Sequence, residues 1–466
     1  MDRADIPYLS ATELSELIKN REVSPVESTE AYLERIDLLN DKLNAYITVC
    51  RDEAIEAARE AEQAITQGKY LGPMHGIPVA VKDQAHTKGI RTTFGSPIFS
   101  DYVPDEDATV ITKLKESGAI LLGKSNMTEF GTTGFSHQFD TPRNPWDLER
   151  YTGGSSSGSG AATAGFLCAT SLGEDTGGSI RGPATWCGLV GLRPSWGRVS
   201  RYGVRPGSWT MDTMGPISRT VKDCALTIQT IAGHDPKDIY TWKTPVPDYQ
   251  NALDGNIRGL KVGIIKDLLY AEVVESEVRD AVLIATNVLG ELGACVEEVS
   301  IPLAIHAQTI SSGLRVEAPV TYRELLRDRL REIGHDNRIG YLVGSVLPAQ
   351  AYFKAQKLRA LLRQQVLEAL NRVDVLVLPT SGVAAPKVEP DPVIDGKDKA
   401  FRNAAGLTPI FSLASTPALS INCGFTSQNL PIGLQIGGKP FDEETVLRVA
   451  YAYEQNTPWH NRKPPL

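Results

Sequence analysis

Cysteine and long apolar runs are both scarce in this sequence. The six cysteines are scattered and no two of them form a C-x-x-C pair, so neither a disulfide framework nor a structural zinc site is expected. No segment approaches the roughly 18 uninterrupted apolar residues of a membrane-spanning helix. Residues 1–7 lack the apolar stretch of a secretory signal. We therefore expect a cytoplasmic protein with no membrane contact and with no metal or other cofactor.

An excess of basic charge is also missing. The 48 Lys and Arg residues are outnumbered by 56 Asp and Glu residues, and the formal net charge is -8, which argues against a nucleic-acid surface. The acidic residues are spread along the chain and form no tail. With 41% hydrophobic residues, the chain can bury a sizeable core. Its length fits two average domains or one large α/β domain.

The order of the predicted elements indicates an α/β fold. Ser24, Pro25 and Glu27 have the pattern of a helix start with a capping box, and a second helix is predicted over 54–65, ending near Gly68. Strands are predicted over 77–81, 119–122, 166–172, 189–192, 260–265 and 373–378, and helices over 108–116, 277–292 and 349–371. This alternation indicates a central mixed β-sheet flanked by helices. Residues 379–399 contain several prolines and charges and are predicted to form a surface loop.

A glycine- and serine-rich segment covers residues 152–160. It is not interpreted as a flexible linker, because apolar, structured segments flank it closely. It lacks the Gly-Lys-Ser/Thr of a phosphate-binding loop. Residues 154–158 match the G-x-S-x-G pattern of α/β-hydrolases, but the apolar strand that should lead into that turn is missing.

A second glycine-containing segment, Asp-Thr-Gly-Gly-Ser at 175–179, precedes a predicted helix. The glycines allow successive backbone N–H groups to face one point, which is what an oxyanion hole needs. The hydroxyl of Ser179 follows directly and is a candidate nucleophile. An ordinary loop in which Ser179 caps the next helix would use the same residues, so the local pattern leaves both interpretations open.

Several motifs together resemble the amidase signature family. The motifs are GGSS at 153–156, DTGGSIR at 175–181, GIPVAVKD at 76–83, GKSNMTEF at 123–130, CGLVGLRP at 187–194 and LPIGLQI at 430–436. The resemblance implies a single large α/β domain over 1–466. Within it we expect an N-terminal helical segment over 1–68 and a signature core over 72–235.

The same resemblance implies a triad of Ser179 as nucleophile, Ser155 as relay and Lys82 as base, with a cis peptide bond between Gly154 and Ser155. A lysine acts as a base only when it is neutral, so its pKa must lie well below its ordinary value. The oxyanion hole is predicted to consist of the backbone N–H groups of Thr176, Gly177, Gly178 and Ser179. Supporting roles are predicted for Ser156, Asp175 and Arg181.

The predicted activity is hydrolysis of a carbon–nitrogen bond in a small amide or carbamate, by a monomer or homodimer. The alternative is the glutaminase subunit of glutamyl/aspartyl-tRNA amidotransferase, which residues 200–203 and 231–235 resemble. That branch has an Asp where this chain has Ala404-Ala405-Gly406-Leu407, so a stand-alone amidase is favoured. Apolar surface for the substrate pocket is predicted from Trp209, Met211 and Tyr341, on loops near 135–139, 203–214 and 305–347.

Overall fold

The computed structural model describes residues 2–136, 139–390 and 406–466. The strands in these ranges are β1 Tyr46–Val49, β2 Pro78–Lys82, β3 Ile120–Ser125, β4 Arg143–Asn144, β5 Asp147–Tyr151, β6 Thr170–Glu174, β7 Val190–Arg193, β8 Met214–Ser218, β9 Lys261–Ile265, β10 Cys295–Val299, β11 Val375–Pro379, β12 Ala418–Phe425 and β13 Pro431–Gly438. The α-helices are α1 Ala11–Lys19, α2 Pro25–Leu43, α3 Arg51–Thr66, α4 Thr109–Glu116, α5 Ser157–Ala164, α6 Arg181–Cys187, α7 Val221–Ile231, α8 Lys266–Leu269, α9 Ser276–Glu291, α10 Ala307–Gly313, α11 Glu317–Thr321, α12 Arg323–Asp328, α13 His335–Val346, α14 Ala349–Leu370, α15 Pro409–Ala414 and α16 Glu443–Gln455.

Eleven of the strands form one mixed sheet in the order β1-β3-β2-β6-β8-β7-β12-β13-β11-β9-β10. Strand β2 is parallel to both β3 and β6, and β9 is parallel to both β10 and β11. The remaining neighbours in the sheet are antiparallel. Helices pack on the sheet, as the α/β prediction requires, and this prediction is confirmed.

The central strands are covered on both faces. Every residue of β2, β6, β11 and β13 is buried. The residues of β11 are apolar without alternation, as expected of a strand buried on both faces, whereas β6 also buries Thr170, Ser171 and Glu174. Helix α2 begins as predicted, because the Ser24 side chain accepts from Glu27 N while the Glu27 carboxylate accepts from Ser24 N. The segment 1–68 contains α1 to α3 and also β1, which pairs with β3.

Two predictions about the course of the chain differ from the structure. The predicted strand over 166–172 is β6, which starts only at Thr170, because the chain turns at Phe166 with a φ of 58°. The predicted surface loop over 379–399 is wrong in its first part, since Ala385 is buried against Tyr151 and Trp186. Residues 391–399 lie outside the described residues.

All six cysteines lie in described segments as free thiols, and only Cys295 is exposed. Among the described helices, none combines the length and the apolar character needed to span a membrane.

Close packing of β13 against α15 yields a stability prediction. A Cβ atom added at Gly437 would lie 2.1 Å from Cζ of the buried Phe411. We expect Gly437→Ala to lower the free energy of unfolding by about 1–3 kcal/mol, as overpacking does. Urea unfolding followed by circular dichroism measures the effect.

The matched control is Gly340→Ala in helix α13, where an added Cβ meets no atom within 4 Å. Alanine in a helix is better than glycine by up to about 1 kcal/mol, so this variant should unfold at the same or a higher urea concentration. A Gly437→Ala protein as stable as the parent would contradict the close contact with Phe411.

Candidate active site

Parallel strands bring the first candidate groups to one edge of the sheet. Strands β2 and β6 are parallel neighbours with Val81 opposite Leu172. Lys82 and Glu174 are the last residues of these strands and therefore lie together at the carboxyl edge, where open α/β sheets bind their ligands.

Lys82 is fully buried, and its amino group contacts two residues. Its Nζ lies 2.7 Å from Ser155 Oγ, 3.2 Å from Glu174 Oε2 and 3.5 Å from the Glu174 carbonyl oxygen. The Gly154–Ser155 peptide bond is cis. Burial lowers the pKa of Lys82 and raises the pKa of Glu174 to about 7, because removal from water disfavours the charged form of each group.

The Asp175 carboxylate organises the loop that contains Ser179. It accepts hydrogen bonds from Gly178 N at 2.8 Å and from Ile180 N at 3.2 Å. It also pairs with Arg181 Nη2 at 2.9 Å and Arg193 Nη1 at 3.1 Å. Although burial opposes ionisation, the two guanidinium groups hold the pKa of Asp175 well below its ordinary value.

Ser179 is not a helix cap. Helix α6 begins at Arg181 after Ile180, and no side chain caps it. Ser179 is half-buried, and its carbonyl oxygen accepts from Ser156 N at 3.3 Å. The Ser156 hydroxyl lies 3.2 Å from both the backbone N and the carbonyl oxygen of Glu174, so Ser156 connects the two serine-containing segments.

The loop geometry changes one part of the predicted oxyanion hole. The N–H of Gly178 points at Asp175 and is already used. Within the described chain, no hydrogen bond engages the N–H groups of Thr176, Gly177 or Ser179. Gly178 is required for another reason: its φ is 133°, and a Cβ there would lie 2.1 Å from Thr408 Oγ1.

A cavity of about 570 Å³ opens onto this loop. Its wall includes Ser155, Thr176, Gly177, Gly178 and Ser179. Lys82 is not part of the wall and contacts Ser155 from the protein interior. The structure therefore brings both candidate hydroxyl groups to one cavity, with the lysine buried behind one of them.

Of the predicted pocket residues, Met211 and Tyr341 line the cavity and Trp209 does not. Trp209 is 48% exposed and packs edge-on against Tyr240, so its assignment to the pocket is wrong. The predicted pocket loop over 135–139 includes His137 and Gln138, which lie outside the described residues.

The cavity wall is mainly neutral. Its charged side chains, among the described residues, are Arg315 and Asp336. No group of three His, Cys, Asp or Glu side chains in the described ranges could hold a metal ion.

Sequence reasoning missed three buried ionisable groups: Glu174, Arg193 and Asp212. Thr176 Oγ1 lies 3.0 Å from Glu174 Oε1 and 2.7 Å from Asp212 Oδ1. The sequence does contain one signal for Glu174, because it is an acid that follows a predicted strand and directly precedes the DTGGS motif. Nothing local indicates the position of Asp212 in space, since it is 36 residues from Thr176 along the chain.

A family model described as Amidase matches residues 27–447 of this chain. The chain belongs to the amidase signature family. It is 40% identical to a glutamyl-tRNA(Gln) amidotransferase subunit from Moorella thermoacetica, over 99% of both chains. It is 41% identical to the corresponding subunit from Geobacter metallireducens, over 98% of both.

Solved structures of the family have the same fold. A bacterial aryl acylamidase superposes with a TM-score of 0.88 at 27% identity, covering 97% of this chain and 98% of that one. The corresponding glutamyl-tRNA(Gln) amidotransferase subunit from Thermotoga maritima superposes with a TM-score of 0.81 at 33% identity, covering 97% and 96%.

The ion triad around Asp175 yields a second prediction. We expect Asp175→Asn to lower the free energy of unfolding by about 3–5 kcal/mol, because it leaves the buried Arg181 and Arg193 without a countercharge. Thermal or urea unfolding measures the loss. The control is Asp328→Asn, which removes an exposed pair with Arg327 and should not change stability measurably. Equal stability of the two variants would contradict the role of Asp175.

Proposed function

We propose that this chain is a stand-alone amidase that hydrolyses a carbon–nitrogen bond through an acyl-enzyme on Ser179. One observation carries the proposal: the buried Lys82 Nζ lies 2.7 Å from Ser155 Oγ, and Ser155 shares a cavity wall with Ser179. Membership of the amidase signature family supports the same chemistry.

In the proposed reaction, Ser179 attacks the substrate carbonyl carbon while its proton moves to Ser155, whose own proton moves to Lys82. A serine hydroxyl needs such a base to become a useful nucleophile. Burial favours the neutral amine that this step requires, since it lowers the pKa of Lys82. The proton then returns to the leaving amine, and water hydrolyses the ester on Ser179.

The oxyanion of the tetrahedral intermediate needs preorganised donors about 3 Å away. The backbone N–H groups of Thr176, Gly177 and Ser179 are the proposed donors, because the N–H of Gly178 is used by Asp175. The rigid pairing of Asp175 with Arg181 fixes the loop before the substrate arrives. Such preorganisation removes the cost of orienting dipoles during the reaction.

The triad assignment predicts the effect of three substitutions. Ser179→Ala, Lys82→Met and Ser155→Ala should each lower kcat/KM by at least about 1,000-fold, because the triad acts as a unit. The control is Ser312→Ala, which removes another hydroxyl from the cavity wall and should retain near-parental activity. A folded Lys82→Met or Ser155→Ala protein with parental turnover would refute the relay.

A second candidate function is glutamine hydrolysis within a tRNA-dependent amidotransferase. The 40% identity to a subunit of such an enzyme over 99% of both chains favours it. Arg315 and Asp336 also offer opposite charges at the cavity, as a free amino acid would need. Against it stands the acid-free sequence 404–407, of which Ala404 and Ala405 lie outside the described residues.

A substrate panel separates the two functions. The purified chain alone is assayed on primary amides, anilides, aryl carbamates and glutamine, beside Ser179→Ala as the blank. We expect turnover of neutral amides or anilides without any partner protein, since the cavity wall is mainly neutral. Turnover of glutamine alone, with a raised KM in Arg315→Ala or Asp336→Ala, would establish the second function instead.

A further inference from the structure

Four buried or half-buried groups form a continuous chain behind the oxyanion loop. Lys82 Nζ contacts Glu174 Oε2 at 3.2 Å. The other carboxyl oxygen, Glu174 Oε1, lies 3.0 Å from Thr176 Oγ1, which lies 2.7 Å from Asp212 Oδ1. The triad proposed above uses Lys82 alone of these side chains.

The number of protons in this chain follows from its geometry. A threonine hydroxyl has one proton and can donate to only one acceptor. Thr176 nevertheless lies within hydrogen-bond distance of a carboxyl oxygen on each side. Two ionised carboxylates would leave one of these contacts without a proton, with two oxygen lone pairs facing each other. Protonation of one of the two acids, which then donates to Thr176, removes this repulsion and satisfies both contacts.

The neighbours of each acid decide which one holds the proton. Asp212 accepts backbone N–H groups from Gly207 at 2.8 Å and from Ser208 at 2.9 Å, and hydrogen bonds of this kind favour the ionised form. No backbone N–H donates to the carboxyl oxygens of Glu174 within the described ranges, where their contacts are Lys82 Nζ and the Thr176 hydroxyl. This difference favours the proton on Glu174, with Glu174 donating to Thr176 and Thr176 donating to Asp212.

We propose that Glu174 is a positioning residue that carries, in place of Lys82, the one proton that these two groups share. The hydroxyl of Thr176, oriented by Asp212, holds the proton on Glu174. Lys82 is then a neutral amine, which accepts the Ser155 hydroxyl proton through its lone pair and donates its own N–H to Glu174 Oε2. This inference rests on the proposed role of Lys82 as base.

The charges around the pair are compatible with this arrangement. Asp175 lies beside it and is neutralised by Arg181 and Arg193. Among the described residues, Asp212 and Tyr322 also interact electrostatically with Glu174. Moving a proton from Lys82 to Glu174 leaves the total charge of the cluster unchanged. Burial raises the pKa of Glu174 and lowers the pKa of Lys82, both in the direction of the neutral pair.

Covalent labelling of Ser179 by a fluorophosphonate tests this proton position without knowledge of the substrate. The labelling rate is measured from pH 5 to pH 10 by mass spectrometry, with Ser179→Ala as the blank. The rate falls at low pH as Lys82 becomes protonated, so the midpoint of this acidic limb reports on the proton of Lys82. Each pH unit of displacement changes the rate on the limb by about 10-fold.

Thr176→Val removes the acceptor that holds the proton on Glu174. The proton then moves to Lys82, and the acidic limb should move to higher pH, with at least about 10-fold slower labelling at pH 7. Thr176→Ser restores the hydroxyl and should restore the parental limb. Glu174→Gln replaces the protonated acid by a neutral group that still donates toward Thr176, so its acidic limb should stay close to the parental one. A clear move of this limb to lower pH would show that Glu174 is ionised in the parent and would overturn the inference.

The double variant Glu174→Gln/Thr176→Val separates proton storage from loop structure. Without a carboxylate at 174, the loss of the Thr176 hydroxyl can no longer transfer a proton to Lys82, and labelling at pH 7 should recover above that of Thr176→Val. A double variant as slow as Thr176→Val, or a uniform loss without displacement of the limb, overturns the inference. Absence of parental labelling at Ser179 overturns the nucleophile assignment itself.

Discussion

The carboxylate of Asp175 anchors the elements that build the site. It follows β6 directly and accepts the N–H of Gly178, while Arg181 of α6 and Arg193 of β7 pair with it. Arg181 Nη1 also donates to Gln435 Oε1 of β13 at 2.5 Å. The Asp175 carboxylate therefore links the loop directly to β7 and, through Arg181, to β13. These charges are all buried. Since Asp175 is the countercharge of both guanidinium groups, a change in the shape of the loop would leave buried charges unpaired.

The alternation of elements could be predicted from the sequence, but their order in the sheet could not. The capping box at Ser24 and the apolar run of β11 are local signals, and both elements form as predicted. The placement of β2 beside β6 depends on contacts such as Val81 with Leu172, which are distant in sequence and leave no local pattern. The strand start near Phe166 was misplaced because an apolar residue in a left-handed turn resembles one in a strand.

Local physics alone left the site ambiguous, and the family resemblance selected the residues. Lys82 and Ser155 are 73 positions apart, and no periodicity relates them. Glu174 was not predicted as a site residue because acidic side chains are usually solvated. Its burial depends on the placement of β6 between β2 and β8, which no local pattern indicates. The prediction for Trp209 was wrong in the opposite direction. Large apolar residues are usually buried, but Trp209 packs against Tyr240 at the surface.

A carboxylate next to a lysine would ordinarily hold that lysine protonated and so oppose base catalysis. Two conditions favour the neutral pair here. Burial penalises both charges, and the Thr176 hydroxyl lies 3.0 Å from Glu174 Oε1, where it can accept the proton of the neutral acid. A substrate that fills the cavity and removes water would lower the local dielectric and strengthen both effects. Substrate binding and activation of Lys82 would then be coupled, because the same exclusion of water that orients the reaction also stabilises the unprotonated base.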